Sequence, residues 1–424
     1  MLRQIVLWSK VQQKRFSFAS REVVKLNILF LTLIDVCDIQ QPGIYQDLIR
    51  EFVKKGHCVT IVSPSERRTG QATRMIEGDC RILKVKIGNI QKTNLIEKGV
   101  STVLIEAQLK AAIKRHLSDV KFDLVIYSTP PITFANVVKY VKKRDGAKSY
   151  LLLKDIFPQN AVDMGMMSKS GPKSLIYWAF RKKEKALYRL SDRIGCMSQA
   201  NVDFVIRHNS KVKPDIVEVC PNSIEVRDMT LDEEERAQLR QKYGIPADKR
   251  VFVYGGNLGR PQGIPFLIEC LRSQKERTDV YFLIVGDGTE YGVLARFMEE
   301  EMPKNVKLLK RLPKEDYDRM IAACDVGMIF LDYRFTIPNF PSRLLAYMQA
   351  KLPVLCCTDP NTDVGDVVEK GGFGWKCMSN DVADFCQTVD TALNADLEKM
   401  GQAGKKYLLE HYTVKQGYHI ITKE

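Results

Sequence analysis

The sequence predicts an α/β protein built from two Rossmann-like, doubly wound domains that face each other across a cleft. Three observations predict it. At 424 residues the chain exceeds what one compact core normally holds. Short apolar runs alternate with amphipathic helical stretches, first from Lys25 and again from about Val251, which is the pattern of a parallel sheet covered on both faces. Between the two series lies PNSIEVRDMTLDEEERAQLRQKYGIPADK, polar and charged, which reads as a linker carrying one helix.

The first series opens on LNILFLTLI, a buried strand. A helical segment over Gly43–Lys55 follows, with Gly56 as its C-cap, and then the strand HCVTIVS. CRILKVKI, FDLVIY and KSYLLL continue as strands, with helices at Ser101–Leu117 and Ile132–Lys143 between some of them. In the second series VFVYGG, VYFLIVG, VKLL, DVGMIFL and LPVLCC read as strands. Helices over Ile264–Ser273, Glu290–Glu301, Lys314–Ala323 and Ser342–Ala350 separate them. The predicted organisation is a tail over 1–25, an N-terminal domain over 26–225 and a C-terminal domain over 226–412. Residues 413–424 form a last segment with the option of returning to the N-terminal domain.

Composition narrows the function. A hydrophobic content of 45% beside 27% charged residues excludes wholesale disorder. The longest apolar runs fall well short of the ~18–20 residues that cross a bilayer. The net charge of +14 favours acidic partners: nucleic acid, anionic lipid or phosphorylated small molecules. Eleven scattered cysteines without a C-x-x-C pair fit a reduced cytosolic interior rather than a disulfide framework. The first 25 residues are basic and poor in acids, superficially like an import presequence, and read as a non-essential tail.

Three loops of the second series follow strand ends. The first is Gly255-Gly256-Asn257-Leu258-Gly259-Arg260-Pro261-Gln262-Gly263, where glycines let backbone N–H groups approach a phosphate and Arg260 adds charge. The second is Gly286-Asp287-Gly288-Thr289-Glu290. The third is FTIPNFPSRLLAYMQAKLPVL, residues Phe335–Leu355, in which Ser342 and Arg343 tip a helix start, a natural place for an anion. Each alone reads as a tight turn; together, at one sheet edge, they predict a nucleotide-diphosphate site. The dinucleotide fingerprint G-x-G-x-x-G is not met, because Tyr291 stands where the third glycine belongs.

In order and spacing, eight stretches resemble the bacterial GT-B glycosyltransferases of family 4, which build capsule, O-antigen and other exopolysaccharide units. They are KKGHCVTIVSP, KDIFPQNAVDMG, MSQANVDFVIRHN, VCPNSIE, YGGNLGRPQG, IVGDGTE, LPKEDYDRMIAACDVGMIFL and FTIPNFPSRLLAYMQAKLPV. The resemblance runs from about Leu26 to Tyr412. It implies that Gly43 faces the donor phosphates, that Gly256, Asn257, Gly259 and Arg260 line them, and that Gln262 stands where many members carry lysine. The glycines Gly286 and Gly288 join this donor site. Leu312 and Pro313 would border the base, and Ser342, Arg343 and Leu344 would offer N–H groups or charge to the diphosphate. The nucleotide-sugar is a substrate, so no cofactor is expected. A departure accompanies the match: the family's two glutamates fall here at Pro338 or Asn339 and at Ala346, and neither is acidic.

Asp155 opens D-I-F-P, which resembles the D-L-W-P of related transferases, in a neighbourhood where relatives carry an acceptor-side histidine. It is read as contacting or activating the acceptor hydroxyl, with an N-cap role as the equal alternative. Arg260 or Arg343 would stabilise charge on the leaving diphosphate. No metal is expected: the one D-x-D, Asp316-Tyr317-Asp318, sits where acids favour a helix first turn. The resemblance implies a retaining, metal-independent transfer from a UDP-sugar to a lipid-linked glycan.

Gly171–Arg193 is helical, aromatic and basic. It either lies on an anionic membrane surface or packs Trp178 and Phe180 into the N-terminal domain. The family reading favours the membrane, giving a cytoplasmic protein peripheral on the inner face of the cell membrane. No nucleic-acid-binding module is present. A non-catalytic subunit supporting a partner enzyme and a nucleotide-sugar epimerase of the same architecture remain rival readings; an oxidoreductase ranks last.

Overall fold

The computed structural model describes residues 24–90, 93–172 and 174–423. The basic tail therefore lies almost wholly outside the described residues, as does Lys173 of the amphipathic stretch.

Strands β1 (Asn27–Leu31), β2 (Cys58–Glu66), β3 (Arg74–Ile76), β4 (Arg81–Ile87), β5 (Leu124–Thr129), β6 (Lys148–Leu153), β7 (Arg193–Cys196) and β8 (Val217–Val219) form one sheet. Their order is β3-β4-β2-β1-β5-β6-β7-β8, parallel throughout except for β3, which pairs antiparallel with β4 at the edge. A second, fully parallel sheet has the order β11-β10-β9-β12-β13-β14. Its strands are β9 (Arg250–Asn257), β10 (Val280–Asp287), β11 (Val306–Lys310), β12 (Val326–Phe330), β13 (Val354–Thr358) and β14 (Gly374–Met378). Strand order in the second sheet reverses between β9 and β12. That is where doubly wound folds hold their ligands.

Each central strand is apolar on both faces because helices cover both. Leu29, Leu31 and Val125 pack on one side of the first sheet, and Ile28, Phe30 and Ile126 on the other. The second sheet divides in the same way, with Val251, Val253 and Leu283 opposite Phe252, Tyr254 and Ile284. Strands β3, β7, β8 and β14 were not anticipated. At three to five residues they are too short for periodicity to mark them.

Local chemistry fixes the linker helix Glu233–Tyr243. Asp232 and Glu235 form a reciprocal capping box at its start, and Gly244 closes it at φ 59°. The linker then runs beside the C-terminal crossing, where Ile224 donates to the Tyr412 carbonyl (3.0 Å) and Val414 donates to that of Ile224 (3.1 Å). Beyond this double crossing, helix Val414–Thr422 packs on the N-terminal domain. Tyr418 and Ile421 enter the core shared with Leu48 and Phe52, and the Tyr418 hydroxyl meets His57 Nε2 at 2.9 Å.

Further ties cross the cleft. The Asp163 carboxylate accepts from the Thr336 N–H (2.9 Å) and hydroxyl, and Asn201 Nδ2 donates to the Pro338 carbonyl (2.7 Å). Ile156 and Met164 meet Phe335 and Ile337 in a small apolar cluster beside them.

Candidate active site

The loops after β9 and β10 interlock backbone to backbone. Where a side chain on Gly286 would start, the Gly256 carbonyl oxygen already sits, 2.0 Å from an ideal Cβ. Gly256 itself holds φ +130°, with the Arg343 guanidinium 3.4 Å from where its Cβ would be. These glycines put bare backbone on the edge of a cavity of about 1280 Å³ that opens between the two domains at the β9–β12 switch point.

Arg343 forms part of the cavity wall. Its guanidinium stacks 4.3 Å from the centre of the Tyr254 ring, and phenols rather than carboxylates surround it: Tyr254, Tyr347 and Tyr317. Nη1 is buried without a hydrogen-bond partner. A buried guanidinium nitrogen left unpaired costs energy, and an anion bound in the cavity would offset it. Arg311, Lys314 and Arg227 line the same cavity, and so do the carboxylates of Asp47, Glu225, Asp287 and Asp318, the last of them paired with Lys314. From the other domain Pro42, Gly43 and Ile44 close over it, and the buried Asp47 behind them accepts the Glu225 N–H at 3.1 Å, tying that loop to the linker.

The helix expected to present N–H groups to an anion runs over Arg343–Gln349, and two of its early amides are already used. Leu344 donates to the Pro341 carbonyl (3.2 Å) and Leu345 to that of Ser342 (3.1 Å). The Leu344 side chain is fully buried in the core. Leu344 is therefore a packing residue, and Arg343 brings its charge to the cavity wall. Ser342 does line the cavity; its hydroxyl accepts from Asn222 Nδ2, a linker residue without a role in the sequence reading.

Asp155 follows β6 in the N-terminal domain and is not among the residues that line this cavity. It caps no helix: the next one, Gln159–Asp163, has Pro158 at its N-cap, and the Asp155 carboxylate instead accepts from Asn160 Nδ2 at 2.6 Å. Burial pushes its pKa up to about 6 against these hydrogen bonds, so it can exchange a proton near neutrality. Burial likewise pulls down that of neighbouring Lys154, whose Nζ donates to the Cys220 carbonyl (3.2 Å).

Residues 235–407 match the family model described as glycosyl transferases group 1. Among relatives, WbjE of Pseudomonas aeruginosa, named as a probable glycosyltransferase, is 23% identical over 364 residues, covering 84% of both chains. WcaI of Escherichia coli (strain K12), provisionally named as a colanic acid biosynthesis glycosyl transferase, is 23% identical over 208 residues, 49% of each chain. Among solved structures, HepE of Anabaena in complex with UDP and glucose superposes with a TM-score of 0.67 at 15% identity, covering 94% of this chain and 98% of that one. The fold is GT-B.

Within this GT-B frame, Gly256, Asn257, Gly286, Gly288 and Leu312 also reach the cavity. Arg260 does not. Its side chain is 63% exposed and lies 3.7 Å from Glu290, because the turn after Gly259 carries it outward. Gln262 and Gly259 also stay off the cavity wall. Gln262 Oε1 accepts from Asn257 Nδ2 (2.8 Å) and from the Gly259 N–H (3.2 Å), so its amide braces the loop. Pro313 is exposed and starts helix Lys314–Ala322. Among the described residues no three His, Cys, Asp or Glu side chains converge as a metal site would require. The D-x-D acids are spent in ion pairs, Asp316 with Lys242 and Asp318 with Lys314.

Proposed function

We propose that the chain transfers a sugar from a UDP-linked donor to a lipid-linked glycan acceptor in cell-surface polysaccharide synthesis of the capsule or O-antigen type. The transfer is family 4-like, with retention and without metal. The observation that carries this reading is Arg343, an unpaired guanidinium at a glycine-lined switch point, which suits a leaving diphosphate. The group 1 match over 235–407 and the UDP complex of HepE support the same donor class. Asp155, across the cleft, serves the acceptor hydroxyl. Calorimetric titration with UDP, GDP, ADP and NAD, without added metal, is the test. UDP alone should bind tightly. Silence from all four would favour the non-catalytic subunit, with Ala346 in place of the family glutamate as its reason.

The amphipathic helix supports a peripheral location on the inner membrane face. It spans Ser174–Leu190 and buries Tyr177, Glu184, Leu187 and Tyr188. Trp178 does not pack inward: it is 54% exposed, beside Ile176 at 55% and Leu175 at 77%, while Phe180 meets Phe157 edge-on at 5.1 Å. With Lys182, Lys185 and Arg189 also exposed, this face carries both the apolar and the cationic groups that an anionic interface attracts. No helix among the described residues is long and apolar enough to cross a bilayer. Leu175→Ser, Ile176→Ser and Trp178→Ser together should release the protein from anionic vesicles in a pelleting assay while leaving UDP binding intact. Undiminished pelleting would remove this helix from the membrane contact.

A further inference from the structure

Arg343 Nη1 is not the only buried polar atom without a partner at the donor cavity. Tyr317, the residue between the two acids of Asp316-Tyr317-Asp318, also lines it, from helix Lys314–Ala322. Its ring packs against the C-terminal core, and its hydroxyl oxygen fills the space at Gly255, 1.9 Å from where a Cβ would stand. That contact accounts for the glycine. It does not account for the hydroxyl, since phenylalanine would fill the core part of the space without burying a polar atom.

The Tyr317 hydroxyl is buried and has no hydrogen-bond partner. The nearby Tyr347 hydroxyl accepts from the Gly255 N–H at 3.1 Å and has the Met328 and Val253 carbonyls at 3.1 and 3.2 Å for its own proton. Tyr347 is therefore held by backbone groups; Tyr317 interacts with it but has no hydrogen bond of good geometry. Burial holds the Tyr317 phenol well above its ordinary pKa, so it carries its proton and is a donor. Two unsatisfied groups, this hydroxyl and Arg343 Nη1, thus flank the bare backbone of Gly255-Gly256. Buried polar groups are rarely left unpaired, and two orphaned donors at one spot call for an acceptor from outside. A neutral sugar hydroxyl would serve the phenol but leave the guanidinium charge uncompensated; a phosphate oxygen serves both.

We propose that the Tyr317 hydroxyl donates a hydrogen bond to the donor's diphosphate, beside Arg343. This inference rests on the nucleotide-sugar reading above. It makes Tyr317 a donor-binding residue that holds charge on the leaving group through a neutral donor, at the cavity where Ala346 brings no acid.

The test is Tyr317→Phe, titrated with UDP and, by displacement of UDP, with uridine, alongside a thermal melt. UDP affinity should fall about tenfold, as for a hydrogen bond to a charged group, with uridine affinity unchanged. The melting temperature should hold or rise, because an unpartnered buried hydroxyl contributes nothing to the empty protein. Tyr317→Phe and Arg343→Met should also be non-additive for UDP, as two donors to one group are. Unchanged UDP affinity in Tyr317→Phe, with the parent protein binding normally, would overturn the inference alone. So would an equal loss for uridine, which would put the contact on the nucleoside. A parent protein that does not bind UDP would instead remove the nucleotide-sugar reading and this inference with it.

Discussion

Arg343→Met weakens UDP binding by about 1.5–3 kcal/mol, the cost of losing a hydrogen-bonded charge. This is the expected result of calorimetry on the purified variant. The same substitution should not lower the melting temperature, and the sign follows from the surroundings. Arg343 has phenols for neighbours and a buried Nη1 with no partner, so the empty protein pays for its desolvation without an ion pair to offset it. Methionine keeps most of the volume against Tyr254 and removes the charge; what it loses is the cation–π contact, worth about 0.5–2 kcal/mol. Binding and stability should therefore move apart. A variant that loses both equally would make Arg343 a structural residue, and unchanged affinity would take it out of the donor site.

Asp155→Asn should cut transfer by about 100-fold or more, the usual contribution of a positioned acid–base group, with UDP affinity unchanged. The pH dependence has a definite sign. Burial raises the carboxyl pKa to about 6, so the folded state holds this proton more tightly than the unfolded chain does. Its protonated form stabilises the fold at low pH, and that contribution is lost as pH rises from the ordinary carboxylate range through about 6. At pH 7 the ionised group is a burden, and asparagine should leave the melting temperature unchanged or higher. Activity runs the other way: a base must be ionised, so parent activity should fade as pH drops below about 6. One other carboxyl, Asp359, is also raised to about 6 by burial; it is only 2% exposed, its Oδ1 accepts the N–H groups of Asn361 and Thr362, and its Oδ2 is buried without a partner. An acid limb that survives in residual Asp155→Asn activity would belong to another group and end the acceptor role proposed for Asp155.

The switch-point site was legible in part. Glycine-rich loops after VFVY and VYFLIV are local signals, and glycine is required there by backbone contact rather than by taste in turns: Gly286 has the Gly256 carbonyl against it. Arg343 could be singled out because it follows two prolines at a helix start. Arg260 looked equivalent in sequence and is not, since one turn of backbone decides whether a side chain just past a strand points into a cleft or away from it. Tyr317 was hidden between two acids, of which Asp316 stands in the helix's first turn as expected while Asp318 lies beyond it, paired with Lys314. Only the neighbouring Gly255 hinted that something large lay against the strand end. On the helix Ser174–Leu190, the mixture of aromatic and basic residues was plain, but its outward-facing tryptophan was not, because two faces of that helix carry aromatic residues.

Alone, the sequence determined the two alternating α/β series, the charged linker between them and the strand ends that meet the ligand. These depend on periodicity of two or 3.6 residues and on glycine and capping chemistry, all of which act over a few neighbours. Tertiary structure decided which cation stacks on Tyr254 in the cavity wall, which hydroxyl stands near it, how Asp155 is buried and that the last helix returns across the cleft to Tyr45 and Leu48. Those outcomes depend on groups up to 361 residues apart, as with His57 and Tyr418. Desolvation and unpaired hydrogen bonds are set by every atom around a group, and the sequence order of its neighbours does not contain that sum.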